Sequence, residues 1–296
     1  MTALLLVALA GFGAQMVDGS LGMGYGLTSS TLLIAIGLAP AAASASVHLA
    51  EIGTSAASAT SHLRLGNVDK KVLARIALPG ALGAFAGATV LSGLSTAAAR
   101  PWASCLLLIL GVYVLIRFLR NRRVILRKGR PGHRLLVPLG LVGGFVDATG
   151  GGGWGPVTTP ALMADGRMAP NRVVGTMNTA EFVVSIAASA GFLLGLGTAI
   201  LDWRILVPLL VGGLIAAPIA AHIAHRLPMR IMGVGVGGLI VVTNAFTLLR
   251  AFAAAPSTQA MVMGMLIAGW ASAVAVVTVQ HRRQALAPKP AVQVRS

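Results

Sequence analysis

The sequence predicts an all-α polytopic membrane protein made of two inverted-topology repeats. Each repeat is a Gly-broken short helical hairpin followed by three transmembrane helices, and one extra helix follows at the C-terminal end. Three observations lead there. Charged residues are only 10% of the 296-residue chain and the mean hydropathy is +0.85, whereas an ordinary soluble domain carries roughly 25% charged residues. Long apolar stretches recur along the chain between short polar loops, the pattern of helices crossing hydrocarbon. Six of the seven acids also form three pairs at a near-constant spacing: Asp18 with Asp147 (129 apart), Glu51 with Glu181 (130 apart) and Asp69 with Asp202 (133 apart). A charge in hydrocarbon costs on the order of 3 kcal/mol or more. Acids kept at matching places in both halves therefore mark a duplicated membrane unit with its polar groups inside.

The repeat can be followed through the chain. Residues 11–26 (GFGAQMVDGSLGMGYG) lie over residues 140–155 (GLVGGFVDATGGGGWG). Asp18, Gly22, Gly24, Tyr25 and Gly26 then fall on Asp147, Gly151, Gly153, Trp154 and Gly155. Pro40 and Pro170 follow, then VHLAEIGTSAASA over MNTAEFVVSIAAS, NVDKKVL over ILDWRIL, and Gly80 over Gly213. The first copy (1–116) has short apolar pieces at 2–17 and 27–38 and long spans at 41–63, 72–94 and 102–116. In the second copy (135–250) the short pieces are 135–146 and 156–164, and the spans are 173–200, 205–224 and 231–249. The segment 117–134 is a basic connector. Residues 258–280 form the extra transmembrane helix, and 281–296 a basic tail. The first apolar segment lacks the basic flank of a signal peptide and leads into the repeated motif, so it belongs to the mature fold.

Charge sets the topology. Inverted copies put twenty of the 23 Lys and Arg residues on one side, in 64–75, 117–134, 165–172, 226–230 and the tail, against Arg100, Arg204 and Arg250 on the other. Parallel copies would give a 14 to 9 split. The bias rule selects inversion with a cytoplasmic C-terminus. The net charge of +16 is thus a topology signal, suited to the anionic headgroups of the lipid bilayer. No aromatic interleaving or nucleic-acid motif accompanies it, so nucleic acid is not an expected partner. The single cysteine, Cys105, offers neither a disulfide nor a cysteine-based metal site.

Inverted repeats with interrupted helices are a frequent transporter architecture, with the site near the midplane where the breaks meet. The breaks here are 18–26 and 147–155. Each leads into a helix N-terminus, whose free N–H groups and partial positive charge suit an anion, and Pro156 is placed at the favoured first helical position. The glycines Gly150 to Gly153 allow close backbone approach. The substrate-binding candidates are Gly22, Gly24, Tyr25, Gly26, Ser29, Ser30, Gly151, Gly153, Trp154, Gly155, Thr158 and Thr159, facing a small anionic substrate. The plainer alternative is that the glycines serve tight helix packing. A nucleotide loop is excluded, because neither break follows a strand and no Walker lysine is present.

Glu51 and Glu181 lie inside long spans, where desolvation favours the protonated form and makes each a candidate proton carrier. His48, one turn before Glu51, shares its face and is a candidate relay. A metal would need further ligands, and the second copy has Asn178 in that place, so no metal or other cofactor is expected. An ionised Asp18 or Asp147 would repel an anion. Each is expected instead to shape its break by accepting backbone N–H groups. Asp69 and Asp202 precede spans as N-terminal caps. No nucleophile and base set points to an enzyme.

The duplicated segment GLVGGFVDATGGGGWGPVTTPALM, the Pro-started span after it and the connector HLRLGNVDKKV resemble the TauE/SafE family of sulfite exporters over residues 5–250. The resemblance implies a bacterial inner-membrane permease exporting sulfite, sulfoacetate or a related small anion. It directs attention to Gly22, Gly24 and Gly26 and to Gly151, Gly153 and Gly155. A passive channel for a small solute, or a cation or metal transporter using the intramembrane acids, are the alternatives.

Overall fold

The computed structural model describes residues 2–21, 23–120, 127, 129–200, 202–224 and 229–286, so Gly22 and His225 lie outside it. Its elements are α1 (Thr2–Leu21), α2 (Tyr25–Ala35), α3 (Pro40–Arg64), α4 (Lys70–Gly93), α5 (Thr96–Arg120), α6 (His133–Gly150), α7 (Trp154–Asp165), α8 (Pro170–Leu196), a short 3-10 turn (Gly197–Ile200), α9 (Trp203–Ala224), α10 (Met229–Ala251) and α11 (Pro256–Leu286). No strand occurs among the described residues. By length and composition, α4, α5, α8, α10 and α11 can each cross a membrane.

The helix starts follow from the local sequence. Both α3 and α8 begin on a proline after an extended alanine, Ala39 or Ala169, because a first-turn proline loses no hydrogen bond. Asp69 caps α4 by accepting from the Lys71 and Val72 N–H groups at 3.0 and 3.3 Å. Asp202 accepts from the Arg204 N–H at 2.9 Å before α9.

The helix boundaries at the two breaks differ from the sequence reading. The first helix of each copy does not stop before its aspartate: α1 runs through Asp18 to Leu21, and α6 through Asp147 to Gly150. At 20 and 18 residues these helices are about 30 and 27 Å long, close to the hydrocarbon thickness. Only α2 and α7, at 11 and 12 residues, are short. The cause at α6 is visible. The Gly151 and Gly152 N–H groups both bond the Asp147 carbonyl, at 2.7 and 2.9 Å, and Gly151 turns left-handed at φ 75°. Glycine, not the acid, ends the helix. Secondly, Pro156 is the third residue of α7, which starts at Trp154.

Exchanging α1–α5 with α6–α10 maps most of the packing onto itself. α4 lies along α6 as α9 lies along α1, α3 meets α8, and α5 meets α10. The contacts repeat residue by residue. Gly140 is pressed against the Ile76 carbonyl as Gly11 is against that of Leu209. Trp154 covers Gly80 as Tyr25 covers Gly213. Each aromatic is the wedge of its own apolar core, Trp154 with α4 and α8, Tyr25 with α5 and α9. The exchange fails most at α4, which packs broadly on α8, while α3 and α9 touch more narrowly. Outside the pair, α11 packs on α10 with its remaining surface exposed.

Several basic segments share one end of the bundle. Arg130 pairs with Asp69 at 2.9 Å, Asn171 donates to Asn67 at 3.0 Å, and the Arg127 N–H donates to the Gly166 carbonyl at 2.7 Å. Arg230 donates to the Phe118 and Leu119 carbonyls there as well, at 3.1 and 2.8 Å.

Candidate functional site

The two breaks meet. A Cβ on Gly26 would stand 2.7 Å from the Gly152 Cα, and one on Gly155 would stand 3.0 Å from the Met23 Cβ. These contacts are repeat equivalents, since Gly26 matches Gly155 and Met23 matches Gly152. Gly152 faces the backbone of Gly26 and Leu27 so closely that no side chain fits. Ser30 reaches across and donates its hydroxyl to the Gly151 carbonyl. The glycine string therefore serves close backbone approach between the halves.

Asp147 organises the second break. Its Oδ1 accepts from the Gly153 and Trp154 N–H groups at 2.7 and 2.9 Å. Asp18 likewise takes the Tyr25 N–H. These first-turn amides, read from the sequence as open to an anion, are thus occupied by carboxylates of the same chain. Two of the expected hydroxyl donors are also engaged. Ser30 bonds Gly151, and Thr158 bonds the Trp154 carbonyl at 2.6 Å inside its own helix. The Thr159 hydroxyl is buried without a partner among the described residues, and Ser29 borders the Tyr25 hydroxyl.

Behind the seam lies a polar cluster that the sequence indicated only in part. The Nε2 of His48 is 3.1 Å from Asp147 Oδ2, and its Nδ1 is 2.7 Å from the Ser44 carbonyl. The Ser44 hydroxyl donates to the Ala148 carbonyl at 2.7 Å, tying α3 to α6. Glu51 lies on the same face of α3, with one carboxyl oxygen 3.3 Å from the Ser185 hydroxyl of α8. His48, Glu51 and Asp147 are buried, and one ligand atom from each lies within 4.8 Å of the others. The third ligand missing from the sequence reading is thus Asp147, so the set has the donor atoms for a metal ion. Asp147, though, already serves two backbone amides and His48.

Glu181 is half-buried and lies within electrostatic reach of Asp18 and Asp147, as Glu51 does of all three. Its equivalence to Glu51 includes a serine four residues on, Ser55 or Ser185, a signal from which Ser185 could have been found. The Asn178 amide, in the place of His48, donates to Ser58 at 3.2 Å and not to an acid. Trp102, Tyr113 and Trp203 are exposed on outer surfaces, away from the seam.

A family profile described as sulfite exporter TauE/SafE matches residues 7–247, nearly the whole of α1 to α10. The chain belongs to the TauE/SafE family. It is also similar to the probable membrane transporter protein YtnM of Bacillus subtilis (strain 168), with 47% identity over 276 residues, covering 93% of this chain and 92% of that protein. No solved structure matches significantly. With this membership and its apolar helices, the TauE/SafE chain is a multi-pass membrane transporter.

Proposed function

We propose that this TauE/SafE protein is a proton-coupled secondary transporter that exports a small anion such as sulfite, sulfoacetate or another organosulfur or organic anion. It does so across the bacterial inner membrane, with its C-terminus in the cytoplasm and its two repeats inverted. The single observation that carries this reading is the backbone contact of the two breaks at Gly26 and Gly152, inside an exchangeable pair of five-helix units. A paired break of this kind suits rocking of one repeat against the other around a central site. The site lies along the seam at Gly26, Gly155 and Thr159, with Glu51 and Glu181 as proton acceptors behind it. The family description supports sulfite as the first substrate to try.

Radiolabelled sulfite efflux from cells with and without the protein tests it. Faster efflux with the protein, saturating with internal sulfite, is expected. Equal efflux for sulfite and sulfoacetate alike defeats the anion reading. A metal transporter is the second reading, favoured by the His48, Glu51 and Asp147 set. Metal-stimulated uptake that ignores sulfite would select it.

A further inference from the structure

A second polar site lies at the far end of α7 from the seam. α7 carries the chain from Trp154 to Asp165, roughly 17 Å at 1.5 Å per residue. Beyond it is a cleft of about 560 Å³, lined by Asp69, Arg130, Arg167, Met168, Ala169 and Arg172 among others. That volume is within the range of small-molecule sites, about 300–1,000 Å³. We propose that this cleft binds an oxyanion of the phosphate type: the headgroup phosphate of an anionic lipid, or free phosphate.

Charge carries the proposal. The lining holds three guanidinium groups and one carboxylate. Both oxygens of that carboxylate are already committed: Asp69 Oδ2 accepts from Arg130 Nε at 2.9 Å, and Oδ1 from the Lys71 and Val72 N–H groups. Arg130 uses only its Nε there. Arg167 stands 3.8 Å from Asp165, beyond hydrogen-bond distance. Arg172 makes no ion pair among the described residues. With Asp69 and Asp165 both counted the group stays net positive, and all three guanidiniums keep donors unused. Like charges gathered in one cleft repel each other, and an anion relieves them. Guanidinium forks match phosphate oxygens in pairs.

The cleft is held in shape by contacts that leave those donors alone. The Arg127 N–H bonds the Gly166 carbonyl at 2.7 Å, and Asn171 donates to Asn67 at 3.0 Å. The connector, the α3–α4 turn and the α7–α8 turn are thus tied together without a ligand. Ala169 gives the start of α8 no side-chain cap, so its first N–H groups add partial positive charge. Those of α4 are taken by Asp69. Both helices are long and apolar enough to cross a membrane, so a cleft at their starts lies at the depth of lipid phosphates.

The test uses the purified full chain in a neutral detergent, with chloride exchanged for inorganic phosphate at constant ionic strength. In a parallel arm, phosphatidylglycerol or phosphatidylcholine is added to the micelles. Phosphate or phosphatidylglycerol should raise the melting temperature by several degrees and saturate, because a ligand of the folded state alone stabilises it. Arg167→Gln and Arg172→Gln should each raise the half-saturating concentration about tenfold or more, the loss of a hydrogen bond to a charged group. Arg204→Gln, exposed at the start of α9, should not. A phosphatidylglycerol response without a phosphate response identifies the lipid headgroup as the ligand. A phosphate response identifies the free anion as sufficient. A shift that the Arg167 and Arg172 variants keep, or that phosphatidylcholine or chloride matches, overturns the proposal. So does the absence of any shift. Native mass spectrometry needs no variant: the wild type should retain phosphate, or phosphatidylglycerol over phosphatidylcholine. Equal retention of the two lipids with no phosphate held overturns the proposal as well.

Discussion

Gly26 and Gly152 touch backbone to backbone, one from each half of the chain, with the Glu51 carboxyl at their side. A methyl group on Gly152 would run into the Gly26 and Leu27 backbone, and Gly152 also sits at φ 150°, where a side chain is strained. Strain of that kind costs about 1–3 kcal/mol before any collision. Gly152→Ala is therefore expected to lower the melting temperature in detergent and to cut sulfite flux at least tenfold. Gly93→Ala, where an added Cβ meets nothing within 4 Å, is the control and should match the wild type.

Asp69 makes a prediction outside the membrane. Its burial raises the carboxyl's proton affinity, but the Arg130 hydrogen bond and charge and the Val72 and Lys71 N–H groups outweigh it, holding Asp69 below the usual carboxylate range. A carboxyl lowered on folding stabilises the fold fully above its unfolded value of about 3.9 and loses that contribution as pH falls through the lower folded value. Asp69→Asn keeps the capping oxygen and removes the charge. Thermal melts should show the wild type ahead at pH 5 and above, with the gap closing toward pH 3. Because Arg130 is half-exposed, the gap should not exceed about 1 kcal/mol. A gap that widens in acid contradicts the assignment.

The inversion proposed for the two repeats predicts opposite sides for equivalent loops. Residues 65–69 join α3 to α4, and 197–202 are the counterpart segment in the sequence. Short tags there should report opposite compartments in intact and permeabilised cells, with 65–69 inside beside the Arg130 segment. Tags on the same side would leave parallel repeats and remove the rocking mechanism.

The architecture was readable because burial restricts acids so severely that their spacing outlines the duplication. The places of both breaks, the proline starts of α3 and α8, and the caps at Asp69 and Asp202 were all legible in local residue types. The helix ends at Leu21 and Gly150 were misjudged because an aspartate on the last turn looks like a breaker until its acceptors are seen serving the amides beyond it. The His48–Asp147 pair was not legible. Its members are 99 positions apart, and the second copy offers Asn178 where a repeated histidine would have drawn attention. Contacts between repeats leave no period in either one.

That pair makes the last prediction. His48 and Asp147 are buried at 0% and 1% exposure, 3.1 Å apart, and they join α3 to the second break. Removing one partner of a buried ion pair costs about 3–5 kcal/mol, chiefly because the other charge is stranded, while removing both costs less than the sum. His48→Asn copies the residue of the second repeat, and Asp147→Asn keeps an oxygen for the Gly153 and Trp154 N–H groups. Each single variant should melt well below the wild type. The double variant should recover part of the loss, giving a coupling energy of about 1–3 kcal/mol in a double-mutant cycle. Strictly additive losses would mean that the imidazole and the carboxylate do not sense each other. Asp147→Ala, which also abandons the two amides, should be worse than Asp147→Asn in both stability and flux.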